Sequence, residues 1–574
     1  MNNPRTFLLL ALFALGYLIY SQWQMDYNPQ VARPAAATTG EQADTPVAAT
    51  PLPPDSAEIP QASSTTPLAA PTEVASSERL VQSSNPIVVT TDLLRIEIDP
   101  RGGSVTRSDL LAYPLQPDEE ARVRLLDTTP ARYFVAQSGL VSQASPAPNH
   151  EAVFSAAAST YSLADGQDTL EVPLTWKDAS GINVTKTFVF SRGSYVIEEQ
   201  QRVNNQSAAT WTGNAYRQLQ RVPLVSDHSG IKGFTNTERY SFMGAAWYSP
   251  EEKFQKLAFD KFAKEPIDGS VSGGWIGMLQ HYFFAAWIPP PGETDHFSSK
   301  EIKSPAGSRY LLRSMSPALS IAPGQEQVFS ARLYIGPKMQ STLDDIAPGL
   351  AKTADYGMFT LISEPLHWLL SMFHKLTGNW GFAIILLVLT IKALFFKLSE
   401  AQYRSMAKMR KMQPRVAALK DRYGDDRAKM NQAMMELYKK EKINPLGGCL
   451  PMLVQFPVFL GLYWVLLESV ELRQAPFILW IHNLTAPDPY YVLPILNAAT
   501  MLATQMLTPM TGMDPLQAKM MKFMPLIFSV MFAFFPAGLV LYWTVNGALG
   551  LLQQWIITRR IEAGEKEPAA AKAK

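Results

Sequence analysis

Thiols are almost missing from this chain. One cysteine, Cys449, stands among 574 residues, which excludes an intrachain disulfide and any metal site built from several thiolates. The seven histidines form no HExxH motif and no pair at i, i+4 spacing. Neither a GxxxxGK[ST] phosphate loop nor a GxSxG nucleophile elbow occurs. Net charge is only +1, so no global field favours DNA. These absences argue against an enzyme, an ATPase, a resident metal or cofactor, and a DNA-binding role.

Acidic side chains are missing from one further place. The C-terminal third carries long apolar runs at residues 380–396, 450–467, 491–507 and 523–557, and none contains Asp or Glu. The last run is too long for one helix across a hydrocarbon core of about 30 Å. Phe535-Pro536-Ala537-Gly538 supplies turn chemistry inside it. Divided there, it becomes residues 523–535 and 539–557. The first piece reaches only about 20 Å at 1.5 Å per residue, so the bilayer thins there or protein shields the helix.

The N-terminal region, 1–28, holds another apolar run, Phe7 to Tyr20, behind Arg5. A cleaved signal peptide is one reading. The bulky Ser-Gln-Trp-Gln-Met-Asp that follows favours an uncleaved anchor with its N-terminus in the cytoplasm. Counting it, the expectation is a polytopic α-helical membrane protein of six spans. The charges fit this count. Residues 397–442 contain thirteen Lys/Arg against six Asp/Glu, Lys519 and Lys522 lie between the fourth and fifth spans, and Arg559 and Arg560 follow the sixth. All basic connections then face the cytoplasm, as do both termini.

Residues 29–85 are rich in Pro, Ala, Ser and Thr and read as a disordered tether. From 86 to 340 the period changes to two. In DLLRIEID, Leu94, Ile96 and Ile98 alternate with polar residues; LEVPLTW and INVTKTFVF flank a hairpin signal at Lys177 to Gly181. A large β-sandwich outside the cytoplasm is expected. Asp227-His228 reads as a surface pair. Residues 355–377 are amphipathic, either lying in the outer membrane interface or packed on the sandwich.

The connection 397–445 reads as a cytoplasmic helical hairpin broken at Gly424, with Asp425 or Asp426 as a cap. Met406, Met409, Met412, Val416 and Leu419 can meet Met430, Met434, Met435 and Leu437. Such a seam is either a plain coiled coil or an adaptable partner surface, and its basic excess suits anionic lipid or ribosomal RNA.

Lys392 sits near the inner end of the second span with no acid to pair with. It either snorkels toward the cytoplasm or points inward, into a wet recess. Thr390, Gln455, Gln505, Thr544 and Asn546 are the polar residues available to line that recess.

The segments GNWGFAIILL, EAQYRSMAKMRKMQP, YGDD, NPLGGCLPMLVQFP, SVELRQAPFILWIHNL, DPYYVLPIL, KFMP and FPAGLVLYW resemble the YidC membrane protein insertase family. The resemblance is dense over 359–557, and the outer domain and anchor are similar to the Gram-negative form. It implies an ATP-independent insertase and folding chaperone of the bacterial inner membrane. The implied partners are nascent membrane proteins, the Sec translocon, the ribosome and lipids. The implied architecture is a periplasmic β-supersandwich and a five-helix core around a groove open to cytoplasm and lipid. The groove's positive residue corresponds to Lys392, where the family most often has arginine, so only the charge role carries over and not bidentate binding. The aromatic groove position falls at Tyr542-Trp543, with Trp where Tyr is usual. The tail, EAGEKEPAAAKAK, mixes three acids with three lysines and does not favour ribosome binding through it. A small-solute transporter or channel, and a structural anchor or envelope sensor, are the rival readings.

Overall fold

The computed structural model describes residues 59–60, 85–116, 119–224, 241–304, 307–424, 426–441, 450–507 and 515–571. The expected anchor, nearly all of the tether, Asp227-His228, Asp425 and Cys449 lie outside these residues. The chain divides into two units, Met1–Thr353 and Ala354–Lys574.

The first unit consists of an 11-stranded and a 9-stranded sheet, almost wholly antiparallel. Leu94, Ile96 and Ile98 face inward from the strand Leu94–Asp99. The hairpin Thr169–Lys177 with Ile182–Ser191 pairs Lys177 with Asn183, and Gly181 takes the positive φ its turn requires. Ile182–Ser191, Val196–Asn205 beside it and Glu326–Pro337 beyond that are successive strands in the interior of the smaller sheet.

Alternation places Ile182, Val184, Lys186, Phe188 and Phe190 on one buried face, so a lysine enters the core in an apolar row. Its amine donates to the Gly102 carbonyl at 2.7 Å, the Ser138 carbonyl at 2.9 Å and Ser138 Oγ at 3.0 Å. Ser138 Oγ donates to Glu199 Oε2 at 2.5 Å, and Gln201 Nε2 donates to Glu199 Oε1 at 2.8 Å. Lys186, Glu199 and Gln201 belong to one sheet and Ser138 to the other, so the network ties the two layers together. All three ammonium protons are used, which is how a buried charge is tolerated. Beside it, His150 Nδ1 lies 2.6 Å from the Tyr216 hydroxyl.

The second unit is helical. α1, Gln340–Ile346, ends the first unit; α2, Thr360–Thr377, begins the second. There follow α3 (Trp380–Leu394), α4 (Phe396–Lys411), α5 (Gln413–Tyr423), α6 (Arg427–Lys440), α7 (Leu450–Glu468), α8 (Val492–Leu507), α9 (Pro515–Phe532) and α10 (Ala537–Ala571). Among the described residues no single helix is long and apolar enough to cross a membrane. Trp380–Leu394 and Phe396–Met409 are so only together, bent by 67°. α9 starts upstream of Phe523, where hydropathy begins, because helix formation runs through Lys519 and Lys522 while an apolar window stops at them. The connection to α10 falls at Ala533 to Pro536.

α2 closes on Gly378, at φ 65°, whose N–H donates to the His374 carbonyl at 2.7 Å. Asn379 then caps α3, its Oδ1 accepting from Gly381 N at 2.9 Å and Phe382 N at 3.2 Å. α2 turns Leu366, His367 and Leu370 into the bundle and leaves Leu361, Trp368, Met372 and Leu376 exposed. The bundle core joins α2, α3, α7, α8 and α10 through residues such as Leu370, Leu387, Leu462, Leu493 and Val540.

Among the described residues the basic connection contains three helices rather than two. α4 is almost continuous with α3, and Pro414, in the first turn of α5, marks a second break. α5 and α6 pair through Met412, Val416, Met434 and Tyr438, with Met409 and Leu437 beside them. Asp426 is the cap, accepting from Lys429 N at 3.1 Å. Met435 is exposed, and Tyr438 takes a seam position that the methionine pattern alone overlooks.

Replacing Lys186 with Ala strands Glu199 and is expected to destabilise the β-rich unit by roughly 3–5 kcal/mol. Thermal unfolding followed by tryptophan fluorescence measures this, and Lys186→Met with Glu199→Gln recovers much of it. Burial, then the nearby Arg313, Lys186 and Arg101, push the His150 pKa from 6.5 down to about 3. The unfolded chain therefore binds the extra proton first, and stability is lost as pH falls from 6.5 toward 3. The Tm advantage of the parent over His150→Gln should shrink between pH 7 and pH 4.

Candidate functional site

α3 buries Gly381, Ala383, Ile384, Leu387 and Val388. Ile384, Val388 and Lys392 are spaced four apart, so Lys392 continues the inward row by one turn. Its side chain is half-buried. The first carbon of any side chain at Gly550 of α10 would lie 3.6 Å from the Lys392 amine and 3.5 Å from the Tyr403 hydroxyl. The amine therefore points at α10, across the bundle at the C-terminal end of α3. Among the described residues it has no ion-pair or hydrogen-bond partner.

The other expected residues divide. Thr390 is exposed and donates back to the Leu386 carbonyl at 2.9 Å. Two positions along a helix is about 200° around it, so Thr390 does not join Lys392. Asn546 lies one turn before Gly550 on α10 and is half-buried, on the row that faces Lys392. Gln455 is half-buried on α7. Gln505 is half-buried on α8, and its Nε2 is buried without a partner among the described residues. Thr544 donates to Val540 O at 2.8 Å and Leu493 O at 3.3 Å, which stitches α10 to α8.

Tyr542 and Trp543 belong to an aromatic cluster. Tyr542 is buried and stacks on Phe459 with ring centres 6.0 Å apart. Trp543 meets Phe459 at 4.6 Å and Phe532 at 5.5 Å, and its indole Nε1 is buried without an acceptor among the described residues. Gln553 Oε1, three residues beyond Gly550, is likewise unpaired. Buried polar atoms of this kind require water or a polar guest.

At the opposite end of the bundle, backbone ties the start of α10 to a loop. Ala537 N donates to Ala486 O at 2.7 Å and Gly538 N to Leu484 O at 2.8 Å. These are unpaired amides of the first turn of α10, satisfied by the loop that precedes α8. Asp488 fixes that loop: it accepts from the Trp480 indole at 2.9 Å, Tyr490 N at 3.0 Å and Leu493 N at 2.8 Å. Gln474, Leu479 and Tyr491 all hold positive φ there, a shape that side chains resist without such ties. Phe477 packs so close to Gly381 that a side chain's first carbon there would meet its ring at 2.0 Å.

Sequence reasoning missed Tyr403, Gly550 and Gln553. The i, i+4, i+7 spacing of Asn546, Gly550 and Gln553 is visible in the sequence, but nothing there ties Tyr403 to it. Asp488→Ala is expected to cost roughly 1–3 kcal/mol through the buried donors it leaves unsatisfied, measured by thermal unfolding of the detergent-solubilised protein.

Two family models match the chain: the YidC periplasmic domain over residues 86–369 and the 60Kd inner membrane protein over residues 372–566. The membrane protein insertase YidC of Thioalkalivibrio sulfidiphilus is 47% identical over 99% of this chain and 100% of its own length. That of Methylococcus capsulatus is 47% identical over 98% of this chain and 99% of its own. A crystal structure of an active YidC insertase matches with a TM-score of 0.38 at 18% identity, covering 82% of this chain and 92% of that one.

Proposed function

This chain belongs to the YidC family of membrane protein insertases, and on that footing we propose that it inserts nascent inner-membrane proteins and assists their folding. The β-rich unit is the family's periplasmic domain. The helical unit carries the insertion site, a hydrophilic groove open to cytoplasm and lipid.

The observation that carries this reading is the Lys392 amine. It is aimed into the bundle at Gly550 and has no counter-ion among the described residues. An ammonium in that position is tolerated only while water or a polar guest reaches it. The half-buried Asn546 and the unpaired atoms of Gln505, Gln553 and Trp543 extend the polar lining. The absence of acids from the apolar runs speaks against a proton-coupled small-solute transporter.

In the proposed topology six segments cross the membrane, both termini and the helices α4, α5 and α6 are cytoplasmic, and α2 lies in the periplasmic interface. The exposed Leu361, Trp368, Met372 and Leu376 of α2 and the exposed Phe523, Ile527 and Val530 of α9 suit contact with lipid. α3, α7, α8 and α9 hold 15, 19, 16 and 18 residues. At 1.5 Å per residue they reach roughly 22–29 Å, short of a core of about 30 Å, which fits local thinning around the groove. The basic face of α4 to α6 suits the ribosome, the Sec translocon and anionic lipid as partners.

A client's hydrophilic tail enters from the cytoplasm, and Lys392 attracts its acidic groups before they are fully desolvated. The client's apolar segment slides along α7 and α9 into lipid. Its burial, at roughly 25 cal/mol per Å², drives the step without nucleotide hydrolysis.

Lys392→Ala is expected to lower insertion of a client with an acidic translocated tail roughly tenfold, the scale of one charge-assisted hydrogen bond. Lys392→Arg keeps it. Protease protection of the client in reconstituted vesicles reads both, and equal insertion by the alanine variant rejects the charge role. Crosslinks from a stalled nascent chain to probes at positions 392, 455 and 543 test the route itself.

A further inference from the structure

We propose that Tyr403 is the second hydrogen-bond donor of a carboxylate seat at Gly550, and that an acidic client group arriving there takes this donor from the Gly550 carbonyl. The inference rests on the proposed role of Lys392 and extends it to two residues outside α3.

Three elements meet at one point on α10. The Tyr403 hydroxyl donates to the Gly550 carbonyl at 3.2 Å. The spot where a side chain at Gly550 would begin lies 3.5 Å from that hydroxyl and 3.6 Å from the Lys392 amine. With glycine at 550 no side chain stands between the two donors. A carboxylate drawing up between them over Gly550 faces an ammonium and a phenol, both donors, and neither donor is paired with an acid of this chain among the described residues. The acid nearest along α4, Glu400, is engaged by Arg404 at 3.2 Å and Lys397 at 3.8 Å. Burial pushes the Tyr403 pKa up, so the hydroxyl keeps its proton and acts as a donor. A charged oxygen accepts more strongly than a peptide carbonyl, so the exchange favours the carboxylate.

The exchange has a mechanical consequence. α4 leaves α3 at a 67° bend and packs across α10. The Tyr403 bond is a direct polar tie between α4 and α10 close to Lys392. Transferring it to the client unties α4 at the moment the client is held, so acid capture and opening of the groove's inner mouth are one event.

The test uses the full chain in vesicles and one single-span client in two forms, its translocated tail carrying either Asp or the matching Asn residues. The readout is the ratio of acidic-tail to neutral-tail insertion rates. Tyr403→Phe should lower the ratio about tenfold through the lost donor. Gly550→Val, which fills the seat while leaving both donors in place, should lower it as well. Gly550→Ala provides a milder filling should the valine variant fold poorly. Lys392→Ala is measured alongside. If that variant keeps the parent ratio, the charge reading beneath the proposal fails. If it lowers the ratio while Tyr403→Phe and the Gly550 variants match the parent, the seat is overturned and the charge reading stands. Equal loss for both clients in Tyr403→Phe leaves the ratio unchanged, marks the tyrosine as merely structural, and also overturns the seat.

Discussion

An ammonium group held among apolar helices with no carboxylate to neutralise it stays charged only while something polar can reach it. Lys392 imposes that condition on the helical unit. Access has to reach the end of the bundle where the amine lies; the other end is tied by the amides of Ala537 and Gly538 on loop carbonyls. It requires the facing helix to carry no bulk at the point of approach, which Gly550 provides. It also requires that no acid sit within the apolar runs, since an internal ion pair would occupy the site permanently. The sequence meets that last condition throughout.

The β-rich unit handles the same chemical difficulty in the opposite way. Lys186 is more deeply buried than Lys392, yet three acceptors within 3.0 Å take its protons and Glu199 stands behind Ser138. That lysine is saturated and joins two sheets. Lys392 is unsaturated, and a polar guest can gain from it. Whether a buried cation supports the fold or is available for work depends on how many of its donors the protein itself has satisfied.

Short helices complement the exposed charge. In the proposed mechanism a wet recess shortens the apolar path from the cytoplasmic side, and helices of 15 to 19 residues fit a bilayer thinned around it. Both reduce the distance a client's polar tail must travel without water. In that mechanism the remaining free energy comes from burial of the client's own apolar segment.

Hydrophobic period alone determined a good deal. Alternation in DLLRIEID and INVTKTFVF set the sheet faces, because a strand turns each successive side chain to the opposite side. Unbroken apolar runs, rather than period, marked the segments that fold into α3, α7, α8 and α10, and the absence of acids singled out Lys392. Helix ends such as the start of α9 were less legible, since hydropathy reports what meets lipid and not where backbone hydrogen bonds begin. Only tertiary structure decided which polar residues share a space. Thr390 looked as eligible as Asn546, yet two residues of helix turn it away, while Tyr403, eleven positions from Lys392 and beyond a 67° bend, is brought against the same glycine. A chain's sequence states what each position is made of and, through local period, which way it faces. Which groups converge across helices depends on crossing angles and bends that no local period encodes.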